Sequence, residues 1–421
     1  MSTDESTLFA NNLIYEAPSP SSVTTNRVLK RQQFQNRSYS SGQTMTCTLN
    51  TGVDFVDQKN SSLVLTFALT PAEGKSVSCG FGEGSGVNFI QNIRIYHRSG
   101  TCYTNTQRYN LYRRTEDVFS QSQEWFNTIG SLMGYGTAAS GILNTPGQAN
   151  VIDATVNYTV VIPLTKIHPF FDSEGGLFLP SAMASGLRVE IDLAPLAEVF
   201  YADAPQTNFA PPISYSITNV YFNTMSVSLM DSAQASINTM SQQQSLEYVY
   251  KDIFTSRNSQ PSDSTAINID INRSVGFADH ATTMIQVAGD ITSILEDSFI
   301  GSYQNGSWWF TLGSNQFPNQ KIDDKLNAYS SALITYDKFN VGEGYPTKVT
   351  PLLYGINSGI YSVSLERDTS IALSQSPVNS SRALRFELSL DEAIGVPTIV
   401  TVFLTYVCSA RSSMLSSKVD I

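Results

Sequence analysis

The chain has 421 residues, of which 41% are hydrophobic and only 14% charged, with a formal net charge of −11. That length suits two domains of about 150–200 residues each, and the acidic balance argues against nucleic acid as the main partner, because phosphate binding needs a basic surface. No run approaches the ~18 consecutive apolar residues of a membrane-spanning helix, and Met1 to Ala10 lacks the basic-then-apolar order of a signal peptide, which points to synthesis in the cytosol.

Met1 to about Arg37 has no strand pattern and reads as an arm. It carries Arg27, Lys30, Arg31 and Arg37, with no acidic residue between Ala17 and Val53, so it is a basic arm on an acidic chain. Those four residues are the candidate assembly residues. Their charge suits a solvated tail, or a strap on a neighbouring subunit or on an inner acidic or membrane surface, better than direct genome binding.

Strands begin at Thr44. Thr44–Leu49, Ser62–Leu69, Phe89–Tyr96 and Ala154–Pro163 are short and alternating or apolar, and turn residues bound them. Ser78–Gly86 is glycine-rich, but the spacing and the strand that follows do not fit a phosphate-binding loop. Tyr103–Phe126 is the best helical candidate of this half, and Thr128–Asn150 reads as a long loop. Leu187–Leu193 (LRVEIDL) alternates strictly, and the loop Ala194–Pro212 and a terminal strand Ile217–Leu229 follow it. Met230–Ser245 is polar and reads as a connection.

The second half repeats this order. Ala266–Asn272, Thr283–Val287, Trp308–Leu312 and Gly359–Leu365 read as strands, with Ile322–Asp337 as the helical candidate. Leu384–Leu390 (LRFELSL) echoes LRVEIDL about half a chain length later, and Thr398–Val407 ends this half as Ile217–Leu229 ends the first. Asn110 and Tyr112 are echoed by Asn327 and Tyr329 in the helical candidates. The fold class expected is all-β: two tandem eight-stranded antiparallel jelly-roll sandwiches, a double jelly roll, with short helices in loops. The expected boundaries are an N-terminal arm at 1–40, a first roll at 41–232, a linker at 233–247, a second roll at 248–410 and a tail at 411–421. The loops 128–150, 194–212 and 341–351 are candidates for the outer surface or for contacts between assemblies.

Little of the sequence suggests chemistry. The three histidines, His97, His168 and His280, lack metal-ligand spacing, and the four cysteines lack a CxxC pair and are expected to be free thiols. No nucleophile elbow, zinc-protease helix or phosphate-binding loop occurs. Asp323/Asp324 and Asp391/Glu392 fall where carboxylates cap backbone amides. Trp308 and Trp309 are adjacent on a strand, so they face opposite sides and one of them belongs to a core. No catalytic residue, metal or cofactor is expected, and the chain is not read as an enzyme.

Several segments, taken in order, resemble the double jelly-roll major capsid proteins of eukaryotic double-stranded DNA viruses, in particular the virophage and polinton-like virus branch. The segments are Gly42–Asp57 leading into Ser62–Leu69, Asn92–Gly100 with Tyr109-Asn110, Ile162–Leu164 through Leu179-Pro180 to Gly186–Leu193, and Phe317–Lys321 followed by Asn327–Tyr329. The resemblance spans roughly residues 40–410 and implies a homotrimer in which six rolls form a pseudo-hexagonal capsomer of an icosahedral virion shell. It also implies minor capsid, penton or cement proteins as partners, an internal membrane reached by the N-terminal arm as a candidate, no specific nucleic acid binding, and the virion as the location. The alternative is a viral receptor- or carbohydrate-binding sandwich of penton or fibre type, which would show an exposed aromatic or polar cleft.

Overall fold

The computed structural model describes residues 24–81, 84–135, 150–152, 157–173, 178–202, 209–243, 246–295, 303–339, 347, 349, 351, 354, 359–366, 376–379, 382–412 and 417–420. The main strands of the first half are β1 (Thr24–Gln33), β2 (Thr44–Thr48), β3 (Phe55–Thr70), β4 (Ile90–Tyr96), β5 (Cys102–Thr106), β6 (Tyr158–Pro163), β7 (Arg188–Leu193) and β8 (Ser214–Leu229). Those of the second are β9 (Leu246–Gln260), β10 (Ala266–Ile271), β11 (Val275–Val287), β12 (Gly306–Leu312), β13 (Asn315–Ile322), β14 (Tyr361–Ser364), β15 (Leu384–Leu390) and β16 (Thr398–Ser412).

The first half pairs as β1-β8-β3-β6 and β2-β7-β4-β5, and the second as β9-β16-β11-β14 and β10-β15-β12-β13. Counted from its own first strand, each half therefore reads 1-8-3-6 on one sheet and 2-7-4-5 on the other. Every one of these pairings is antiparallel. This is the jelly-roll order twice in one chain, as the sequence led us to expect. Helix α1 (Tyr109–Ser120) lies between the fifth and sixth strands of the first roll, α2 (Asp231–Gln243) joins the rolls, and α3 (Lys325–Thr335) lies between the fifth and sixth strands of the second.

The echoed strands are β7 and β15, the seventh strand of each roll. Val189, Ile191 and Leu193 on β7, like Leu384, Phe386 and Leu388 on β15, are buried. The alternate residues point outward and meet charges across the sheet. Arg94 on β4 reaches Asp192 through both Nη atoms, at 2.9 and 2.8 Å, and Glu190 at 3.1 Å; Arg385 reaches Asp270 at 2.6 Å. Period-two alternation thus places one face in a core and the other on a polar wall.

Each roll closes on aromatic side chains. In the first, Phe89 packs within 5.1 Å of both the Phe67 and Tyr215 ring centroids, and Phe81 lies 5.3 Å from Phe200. In the second, Tyr361 lies 5.4 Å from Trp308 and 5.5 Å from Phe386. Burying each such side chain contributes about 1.5–3 kcal/mol. Gly306 opens β12 at φ 148°, and a Cβ there would stand 2.2 Å from the Ser389 carbonyl oxygen, so only glycine lets β12 approach β15 so closely.

The structure corrects several element boundaries. Thr24–Gln33 belongs to the first roll as its first strand, paired with Tyr221–Leu229, so the roll begins before residue 41 and the basic arm is in part a sheet edge. Its inward positions include Lys30 and Gln32, too polar for hydrophobic periodicity to mark. β3 runs from Phe55 through the Asn60-Ser61 turn signal, because a bulge absorbs those residues opposite Asn223 and Met225. Cys102–Thr106 is strand where a helix was expected; Thr104 and Thr106 are buried polar residues that hide the alternation. The linker 233–247 is largely helix α2, and β9 starts at Leu246. In the tail 411–421, β16 continues to Ser412 and Ser417–Asp420 pairs back onto it. Within the loop candidates 128–150, 194–212 and 341–351, residues 136–149, 203–208, 341–346, 348 and 350 lie outside the described residues.

Candidate assembly surfaces

The two rolls meet inside the chain along a seam that shows how one roll covers the next. β5, the turn into α1, and α1 itself lie on the outer face of the β9-β16-β11 sheet. Thr255 donates from Oγ1 to the Gln107 carbonyl at 2.7 Å, and Tyr250 donates to the Tyr103 carbonyl at 2.7 Å. The Tyr112 ring meets Phe403 edge-on at 5.6 Å, and Phe119 stacks on Tyr336 at 6.0 Å. The turn after β6 adds Phe170, 4.9 Å from Tyr250, and Tyr248 donates to its carbonyl at 2.7 Å.

A buried polar knot pins this seam. Thr104 and Tyr406 both donate to Asp252, at 2.5 and 2.9 Å. Burial raises the Asp252 pKa despite these bonds. His168 is fully buried, and its Nδ1 accepts from the Phe170 backbone N–H at 3.0 Å, which places the proton on Nε2, 2.9 Å from Thr106 Oγ1. Burial, aided by the Arg113 charge, pushes its pKa down to about 3, so it is neutral at physiological pH. Nearby, Asp117 is fully buried. Burial alone would raise its pKa, but the charges of Arg113 and Lys166 hold it low. A polar cavity of about 390 Å³ beside the knot is lined by Arg113, Glu116, Lys251, Asp279, His280 and Glu366.

Coverage by the first roll explains an asymmetry between equivalent strands. Residues 400–408 of β16 are buried without interruption, as are residues 278–286 of β11. A strand buried on both faces loses its alternation. β8, the counterpart of β16, keeps it: Tyr215, Ile217, Val220 and Phe222 are buried, while Tyr221, Asn223 and Met225 on the other face are half-buried. Beside them on β1, Arg27, Leu29, Arg31 and Gln33 are exposed. The outer sheet of the first roll is open where that of the second is covered.

The four basic residues of the sequence-predicted arm divide between two settings. Arg27 pairs with Asp57, and Lys30 with Asp54 at 2.6 Å. The Arg31 guanidinium lies 3.9 Å from the Tyr221 ring centroid. These three latch β1 to its own roll, and Arg37 is exposed beyond the strand. The charge is written in the sequence, whereas the sheet edge that holds it depends on pairing with β8, about 190 residues away.

The candidate chemical groups are dispersed. Among the described residues, no three His, Cys, Asp or Glu side chains are placed to hold a metal ion. The cysteines are free. Cys47, Cys79 and Cys408 are buried, and burial raises the pKa of each. Asp324 caps α3, accepting from Asn327 N–H at 2.8 Å. Trp308 is fully buried and Trp309 faces the opposite way, with the Lys321 ammonium 3.7 Å from its ring centroid.

Neither a protein-family model nor a curated protein sequence matches the chain. Solved structures do match it over nearly its whole length. A quasi-atomic model of the PBCV-1 virus capsid superposes with a TM-score of 0.65 at 13% identity, covering 97% of this chain and 99% of that one. The Faustovirus major capsid protein gives 0.66 at 8% identity, covering 95% and 93%. The Sputnik virophage structure gives 0.60 at 11%, covering 97% and 92%. The chain has the double jelly-roll fold of these capsid proteins.

Proposed function

We propose that this chain is a major capsid protein that self-assembles into trimers of pseudo-hexagonal outline, and that these tile an icosahedral virion shell. The observation that carries this reading is the duplicated 1-8-3-6 and 2-7-4-5 strand order, with the first roll seated on the outer sheet of the second. A chain that already places one roll against the next holds the repeating contact of a ring, and three copies supply six rolls. The whole-length likeness to capsid proteins supports the same reading.

The mechanism is mechanical. Low charge density and broad strand walls suit burial against copies of the same chain, and many modest contacts summed over a shell give stability without strong pairwise affinity. No catalytic step, metal or cofactor enters this account. Minor capsid or cement proteins are proposed partners at capsomer boundaries, and the virion is the proposed location. The basic residues Arg27, Lys30, Arg31 and Arg37 are proposed as assembly residues because they lie on or beside an open sheet edge. A carbohydrate-binding sandwich would instead present an open aromatic platform, and the Lys321 ammonium occupies a face of Trp309.

Electron microscopy of the concentrated full-length protein tests the proposal. Hexagonal outlines, sheets or closed shells are expected. Dispersed single particles with two unequal lobes, unchanged at high concentration, would overturn it.

A further inference from the structure

The chain makes one roll-on-roll contact internally and leaves one copy of each half of that contact open. The covering half is α1 with the end of β5, and α1 is buried from Tyr109 to Thr115 and at Asp117–Phe119. Its topological equivalent in the second roll, α3 with the end of β13, buries only Ala328 and Ala332 within the helix. Leu326 is 63% exposed, Ile334 52% and Phe339 just beyond the helix 55%. Leu326 and Ile334 are two helical turns apart and share a side of α3. The covered half is the outer face of β9-β16-β11, where Thr401, Phe403, Thr405, Thr282 and Met284 are almost fully buried. Its equivalent, the outer face of β1-β8-β3, carries Leu29 at 54% exposure, with Met225 paired beside it.

We propose that these two open halves are partners: α3 and the end of β13 of one copy cover the outer face of β1-β8-β3 of a second copy. The contact is heterologous and repeats, between copies, the contact already made within the chain. It rests on the capsomer reading and deepens it by naming the surface that closes the ring. A rotation that carries the first roll onto the second, applied again, carries the second onto the first roll of the next copy. Three copies then leave neither half open.

The test uses the full-length chain and two single variants, Leu29→Glu and Leu326→Glu. Both sites are more than half exposed, so the fold is retained, which circular dichroism and thermal melting verify. Wild type is expected at about 138 kDa, three times 46.1 kDa, and each variant at the monomer mass, with association weakened at least tenfold. Mixing the variants is decisive: one supplies an intact α3 and the other an intact β1 face, so the mixture forms a dimer that cannot close. Val53→Glu, at another exposed apolar position, is expected to remain trimeric. Hydrogen exchange on wild type gives a readout free of mutation, with residues 26–33, 221–229 and 325–335 protected in the trimer relative to the diluted monomer. A wild-type trimer whose variants stay trimeric, or whose exchange is unchanged in those segments, overturns the proposed surface and leaves the capsomer reading standing. A wild type that is monomeric overturns both.

Discussion

His168 shows how a single buried side chain links the seam to pH. Its folded pKa lies near 3, against about 6.5 for the unfolded chain. Between those values the unfolded chain takes up a proton that the folded chain refuses, so stability is lost as pH falls from about 6.5 toward 3, by at most about 1.4 kcal/mol per unit from this site. His97, whose pKa burial also lowers, acts in the same sense. Asp252 acts in the opposite sense, because its raised folded pKa favours the folded chain as pH falls. Urea denaturation at several pH values is expected to show a shallower acid loss for His168→Asn, in which the amide oxygen can still accept from Phe170 N–H. An unchanged slope would remove His168 from the account. At Trp308, fully buried against Tyr361 and Phe310, replacement by Ala is expected to cost about 3–5 kcal/mol, read from the shift in denaturation midpoint.

Among the elements, β1 is the one that sequence reasoning missed most clearly. Its outward residues, Arg27, Leu29, Arg31 and Gln33, face an open surface, and its inward residues include Lys30 and Gln32, so neither face carries an apolar stripe. What makes it a strand is backbone pairing with β8 and the ties to Asp57, Asp54 and Tyr221. Each pair joins a half-exposed cation to a largely buried carboxylate, Asp57 at 5% and Asp54 at 14% exposure, so Arg27→Ala or Lys30→Ala, which strands that carboxylate, is expected to lower the melting temperature by more than the loss of a surface pair would. Removing residues through Gln33 bares one edge of β8 from Tyr221 to Leu229, leaving it paired there only with β3, and is expected to lower the melting temperature sharply and promote aggregation through the bared edge. A truncated chain that melts like the full one would show that β1 is dispensable. By contrast β7 and β15 were legible, because a strand with a dry face and a wet face writes its period into the sequence. β16 was legible as a run of apolar residues, but the reason for that run, burial on both faces, needed the fold.

At the scale of the whole molecule, the duplication was legible in two echoes, LRVEIDL with LRFELSL and Asn110/Tyr112 with Asn327/Tyr329. The structure places both at equivalent points of the two rolls. Which roll covers which, and which faces stay open, was not legible, because the covering contacts join residues far apart in the chain, such as Tyr112 with Phe403 and Thr104 with Asp252. That directionality is what turns a pair of sandwiches into a unit that can propagate around a ring. Light scattering on the purified full-length chain measures this most directly. A mass of about 138 kDa, three times 46.1 kDa, is the predicted result, and a monomer that persists as concentration is raised would contradict the account.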